Sequence, residues 1–170
     1  LSQLRKSQKE FEKKKKQKED EYEKQKKEYE KTQPQYFREN LVFYKIDPGT
    51  FMMGEVGNQV ETIISQPFEM AATLTTQNIW RKVAELANQS FPDKYQFDIN
   101  PSTYIGEFLP VESVSFIEVQ LWLSALNDLS FAGNKALVDI IPGHKDSDEY
   151  RLPTEAEWEF VVRGRGHYND

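Results

Sequence analysis

The sequence predicts one globular domain that combines a β-hairpin with amphipathic helices, carried behind a long charged helix. Three observations predict it: a turn signal between two apolar runs, helical patterns opened by Ser or Thr caps, and a charged N-terminal segment without Gly or Pro. A chain of 170 residues with 38% hydrophobic content has room for one ordinary core. We therefore expect a stalk over residues 1–33, a junction over 34–40 and a globular domain over 41–170.

The predicted stalk consists almost entirely of Lys, Glu, Gln and Arg, which are good helix formers. A single heptad seam, with the first residue at position a, holds all its large apolar residues: Leu1, Leu4, Phe11, Tyr22 and Tyr29. Lys14 opposite Glu19 suits a parallel coiled coil, whereas Lys15 and Lys18 on the seam weaken it. Two alternatives stay open, a solitary charged helix and a parallel homo-oligomer formed through residues 1–33.

Charge divides the chain into two unlike parts. Residues 1–33 hold 12 basic and 8 acidic side chains, which leaves 10 basic and 20 acidic side chains for the rest. An acidic body repels phosphate, so nucleic acid is disfavoured as a partner. The sequence has no apolar run long enough for a transmembrane helix. It also has no cysteine, so this chain holds no disulfide, thiolate metal site or cysteine nucleophile.

The first residues of the predicted globular domain have the pattern of β-strands. The apolar runs 41–46 and 50–54 flank Asp47, Pro48 and Gly49, a strong turn sequence, so we expect them to pair as a hairpin. A shorter strand is expected near 60–64.

Three helices follow, each with a cap. Thr75 or Thr76 caps the first, which runs to about Asn88 with a buried stripe of Ile79, Trp80, Val83, Ala84 and Ala87. Ser115 and Glu118 form a capping box for the second, whose core face is Val119, Trp122, Leu123, Leu126 and Leu129. Thr154 and Glu157 form another capping box after Pro153, and there the expected apolar face is Trp158, Val161 and Val162.

The loop over 89–106 carries the candidate ligand-binding residues Tyr95, Phe97 and Tyr104, whose rings offer stacking surfaces to a sugar or a peptide. The alternative is that such aromatic rings form a satellite core beneath the loop. The sequence shows no catalytic constellation and no metal motif: His144 and His167 stand alone, and the acids of 143–149 lack the spacing of a calcium loop.

Several blocks together resemble one family. Residues 151–159 read R-L-P-T-E-A-E-W-E and are followed by Phe160 and by Arg163-Gly164, residues 48–54 fit P-G-x-F-x-M-G, and residues 110–115 fit P-V-x-x-V-S. This order and spacing resemble the formylglycine-generating-enzyme family, also called the sulfatase-modifying-factor family, over residues 41–170. One departure is Phe116, where the family has Trp.

The resemblance implies an α+β fold of the C-type-lectin-like kind, of which these residues are the N-terminal part. The copper-binding cysteine pair of the family's oxidases, and most of its calcium sites, belong to blocks without counterpart here. No catalytic residue, metal ligand or cofactor is therefore carried over. We also expect a completing C-terminal segment after Asp170, and apolar faces at Trp122 and Trp158 that are left open without it.

Two functions remain as hypotheses. The first is a non-catalytic binding module on a coiled-coil stalk, acting outside the cell or in the bacterial envelope or periplasm on a glycan or protein ligand. The alternative is the N-terminal portion of a formylglycine-generating oxidase, and only then is copper expected.

Overall fold

The computed structural model describes residues 12–14, 16–17, 24, 34–146 and 148–164. The chain forms two compact units, Leu1–Phe37 and Arg38–Asp170. The described residues before Pro34 are helical and exposed. The heptad seam and the oligomer predicted for residues 1–33 lie largely outside the described residues and stay predictions. The predicted junction contains a short helix, α1, over Pro34–Glu39.

Within the part of the chain that the structure describes, four short strands form two small antiparallel sheets. The strands are β1 (Phe43–Ile46), β2 (Gly49–Met53), β3 (Val60–Ile64) and β4 (Phe68–Ala71). Strand β2 pairs with β3, with Gly49 opposite Ile64, and β1 pairs with β4, with Phe43 opposite Ala71. The predicted hairpin between 41–46 and 50–54 is therefore wrong, because β1 and β2 do not pair with each other.

Two prolines explain this pairing. Strands β1 and β2 form one arm of the chain, and β3 and β4 form a second arm. The two arms pair antiparallel, and the pairing is interrupted once, between β1 and β2 on one arm and between β3 and β4 on the other. Pro48 lies in the break on one arm and Pro67 on the other, and neither has an N–H group to donate to a ladder. Two residues separate β1 from β2 but three separate β3 from β4, so the register shifts by one residue at the break. The turn sequence thus produces a kink within one arm.

The three predicted helices begin at the predicted N-cap residues. Helix α2 (Gln77–Ser90) starts at Thr76, whose side chain accepts the N–H of Ile79, and the whole predicted stripe is buried. Helix α3 (Phe116–Phe131) and helix α4 (Glu155–Val162) begin with the predicted capping boxes. A 3-10 helix over Lys135–Asp139 follows α3.

The larger core lies between α2 and α3. Trp80 and Trp122 stack with ring centres 5.5 Å apart and planes 8° from parallel. Each indole N–H is satisfied, since Trp122 donates to the carbonyl of Trp80 and Trp80 to that of Asp98. Trp122 is only 4% exposed, so the expectation that its face would be left open is wrong.

A second, smaller core lies between the β2–β3 sheet and α4. It consists of four buried side chains, Ile46, Phe51, Ile64 and Phe160. The predicted apolar face of α4 is correct only at Val161, which packs against this core. Trp158 and Val162 are 54% and 61% exposed, and Phe160 is the buried side chain of the helix. The exposure of Trp158 agrees with the expectation of an apolar face left open there. No described helix is long and apolar enough to cross a membrane.

Candidate functional site

The three aromatic residues predicted to bind a ligand do not share a surface. Tyr95 is 4% exposed and its hydroxyl donates to Asp128, 2.7 Å away. Phe97 stacks against Tyr95 with ring centres 5.5 Å apart, and its backbone is held by the side chain of Asn88. These two rings therefore match the alternative prediction, a satellite core beneath the loop. Their burial leaves little ring surface that a ligand could contact. Tyr104 is 75% exposed and remains a candidate.

A large cavity lies elsewhere, beside β4. It has a volume of about 830 Å³ and is bounded by residues 68–75 on one side and by residues 141–153 with part of α4 on the other. Apolar side chains line its floor, among them Leu41, Phe43, Leu123 and Ile141. We call it the β4 cleft. A cavity of this size is typical of ligand sites.

Helix α3 fastens the wall of the cleft that faces β4. The side-chain amide of Asn127 donates to the carbonyl of Tyr150 at 2.9 Å and accepts the N–H of Tyr150 at 2.7 Å. One turn further on, the hydroxyl of Ser130 donates to the carbonyl of Asp148. These three bonds fix an extended segment that has no strand partner, because each satisfies a backbone group that a sheet would otherwise pair.

The start of α4 forms the rim of the cleft. The Arg151 guanidinium contacts both carboxylate oxygens of Glu157, at 2.7 and 2.6 Å, while Glu157 also accepts the N–H of Thr154. The hydrogen bonds from Arg151 lower the pKa of Glu157 from 4.5 to about 2, against the opposing effect of burial. The ion pair between Arg151 and Glu157, which we call the clamp, therefore fixes the orientation of this rim.

A buried histidine lies in the same wall. The His144 side chain is 2% exposed and its Nδ1 lies 2.7 Å from the hydroxyl of Tyr150. Burial, and then the charges of Asp148 and Glu69, raise the pKa of Tyr150, so its hydroxyl keeps its proton. The other ring nitrogen of His144, Nε2, is buried and has no hydrogen-bond partner among the described residues.

The cleft is acidic. The described side chains that line it include the carboxylates of Glu69, Asp148, Glu149 and Glu157 but one cation, Arg151, which is engaged by Glu157. Glu69 and Asp148 lie on opposite sides and both raise the pKa of Tyr150. The lining therefore holds more carboxylates than cations, which favours a positively charged occupant.

Sequence reasoning missed this site. The signature at 151–159 was recognised, but nothing local indicated that residues 68–75 would face it. The one available signal was Pro67, which separates β3 from β4 and leaves β4 as a short strand whose pairing the local sequence does not fix. Among the described residues, no three His, Asp or Glu side chains are placed to hold a metal ion.

Comparison with known families agrees with the resemblance noted in the sequence. Residues 25–170 match the family described as the sulfatase-modifying factor enzyme 1-like domain. No significant match was found among curated proteins or solved structures. The match spans most of the chain, and the mixed helices and strands are consistent with it, so this chain belongs to the sulfatase-modifying factor enzyme 1-like family.

Proposed function

We propose that this chain is a non-catalytic, ligand-binding member of its family, displayed on a coiled-coil stalk outside the cell or in the bacterial envelope. The observation that carries the proposal is the β4 cleft, in which an apolar floor meets an acidic rim. A site of that kind offers contact area and charge selection, which are the requirements of binding. The chain has no cysteine, so it does not itself supply the thiols that its oxidising relatives use.

Two further parts of the proposal concern architecture. The mixed elements and long loops between Ser90 and Phe116 suit a C-type-lectin-like fold. The heptad seam over residues 1–33 suits a parallel oligomer, which multiplies weak sites by avidity. Sedimentation velocity over a range of concentrations tests the stalk. A mass that rises with concentration supports it, and a strict monomer at high concentration contradicts it.

The ligand is proposed to be a protein or a glycan. An array that carries both classes, probed with the 170-residue chain, tests the binding function directly. We expect reproducible binding to one class. Tyr104→Ala separates the two surfaces, since loss of glycan binding would place that ligand on the loop of Tyr104 and not in the cleft. Absence of binding to either class would remove the proposal.

The alternative is an N-terminal portion of a formylglycine-generating oxidase. The observation that favours it is the intact 151–164 signature, with Arg151 and Glu157 fully engaged as a structural clamp. Incubation with copper and a cysteine-containing sulfatase peptide, followed by mass spectrometry, tests it. Formylglycine formation by this chain, or by this chain with a completing C-terminal segment, would favour the oxidase.

A further inference from the structure

We propose that the β4 cleft binds a basic polypeptide segment in extended conformation, which adds as a new strand to the free edge of β4. The proposal rests on the proposed binding function and names the ligand class and the mode of recognition. Three independent features of the cleft lead to it: an unpaired strand edge, an excess of carboxylates, and dimensions that fit a short strand.

The strand edge comes from the register of the β1–β4 pair. Ala72 donates its N–H to the carbonyl of Val42, and hydrogen-bonded pairs alternate along an antiparallel ladder. The backbone groups of Glu69 and Ala71 therefore point away from β1. They have no hydrogen-bond partner among the described residues, and both residues line the cleft. An edge of this kind is a template for an added strand.

The charged side chains of the cleft determine which sign of charge a ligand should carry. Glu69 lies on β4 itself, while Asp148 and Glu149 lie on the opposite wall. Arg151 is already bound to Glu157, and Lys45, the neighbour of Glu69 on β1, pairs with Asp47, so the remaining carboxylates of the lining lack a balancing cation. A lysine or arginine side chain on the added strand supplies that cation, whereas an acidic segment or a phosphate group is repelled.

The dimensions suit a short strand with alternating side chains. Strand β4 has four residues, which corresponds to an edge of about 13 Å at the usual rise per residue. In an extended segment, alternate side chains point to opposite faces of the sheet. Phe43 and Glu69 lie on the same face of the β1–β4 pair, so side chains of the added strand on that face meet an apolar side chain and a carboxylate together. Trp158 is 54% exposed at the rim and is available to cover the bound segment.

The experiment uses the 170-residue chain and a fluorescein-labelled eight-residue peptide in which lysine alternates with valine. Binding is followed by fluorescence anisotropy and by tryptophan emission. Trp80 and Trp122 are buried, so a change in quenching by acrylamide reports on Trp158. We expect saturable binding that protects Trp158, and no binding of the matching peptide in which glutamate alternates with valine. Failure of the lysine peptide to bind would overturn the proposal.

Two controls separate strand addition from charge attraction. A lysine–valine peptide that is N-methylated at alternate residues keeps its charge but cannot pair along one edge, so we expect its binding to be lost. The double variant Glu69→Lys with Glu149→Lys should weaken binding by about tenfold or more. Glu61→Lys removes an exposed glutamate on β3, outside the cleft, and should leave binding unchanged. Equal binding by the methylated peptide or by the double variant would overturn the proposal.

The same variants identify other occupants. If Glu69→Lys with Glu149→Lys converts an oligomer into a monomer in sedimentation velocity while the peptide fails to bind, the cleft is covered by a second copy and the proposal is wrong. If the array of ligands gives binding that the double variant retains, the binding function stands but its site is elsewhere. Absence of all binding, to the array and to the peptide, removes the proposed function together with this inference.

Discussion

The Glu159 carboxylate accepts the backbone N–H of Gly54 at 2.8 Å, across 105 residues of sequence. Arg163 completes the contact, because its guanidinium donates to the carbonyl of Gly54 and lies 2.7 Å from Glu159. Gly54 has a φ of 101°, a conformation that L side chains rarely adopt. Two side chains therefore hold the end of the 48–54 block: Glu159 of α4 and Arg163, the C-terminal cap of that helix.

Replacing Glu159 tests this contact. Glu159→Ala leaves the Gly54 N–H without its acceptor and the Arg163 guanidinium without its ion-pair partner, so we expect a loss of about 1–3 kcal/mol in unfolding free energy. Urea denaturation measures it. The matched control is Glu155→Ala, an exposed glutamate at the start of the same helix, which should cost much less. Equal losses in the two variants would show that the Gly54 contact contributes nothing.

The approach of Gly49 to Phe160 gives a second prediction. A Cβ added at Gly49 would lie 2.8 Å from the Phe160 ring, so Gly49→Ala should cost about 1–3 kcal/mol through overpacking. Phe160→Leu removes the ring edge and should relieve part of that cost. A double-mutant cycle in urea is the measurement, and strictly additive losses would contradict the close contact.

Helix starts were predictable because each depends on residues three apart. Thr76, Ser115 and Thr154 all cap helices as expected, since an N-cap bond is made within one turn. The buried stripe of α2 followed equally from its spacing. Local patterns therefore located α2, α3 and α4, the three helices of eight or more residues among the described residues of the globular unit.

Pairing and exposure were less predictable because they depend on distant residues. Asp47, Pro48 and Gly49 have the composition of a turn, and only the second break at Pro67 shows that they form a kink. On α4, Trp158 is the larger ring, yet Phe160 is the side chain that reaches the small core beside Gly49. The β4 cleft has the same origin, because it forms between segments about 80 residues apart.

The clamp between Arg151 and Glu157 predicts an acid-sensitive stability. The folded-state pKa of Glu157 is lowered from 4.5 to about 2, so its contribution is complete above pH 4.5 and is lost as the pH falls toward 2. Exposure of Arg151 reduces the size of the effect, and we expect about 1–2 kcal/mol.

Thermal unfolding between pH 2 and pH 6 measures this loss. In Glu157→Gln, that part of the pH dependence should disappear, because the titrating group is gone. Glu155→Gln changes a carboxylate of the same turn that makes no contact with Arg151, and it should keep the wild-type profile. An unchanged profile in Glu157→Gln would show that other carboxylates cause the acid sensitivity.

Asn127 gives the last prediction, because its side chain pairs with both backbone groups of Tyr150 as a neighbouring strand would. Asn127→Ala leaves both groups unpaired in a half-buried wall, at a cost of about 1–3 kcal/mol. Asn127→Asp keeps the acceptor for the Tyr150 N–H but removes the donor to its carbonyl. Hydrogen exchange at the Tyr150 amide should therefore accelerate strongly in the alanine variant and little in the aspartate variant. Equal protection in both variants would mean that the cleft wall is held by other contacts.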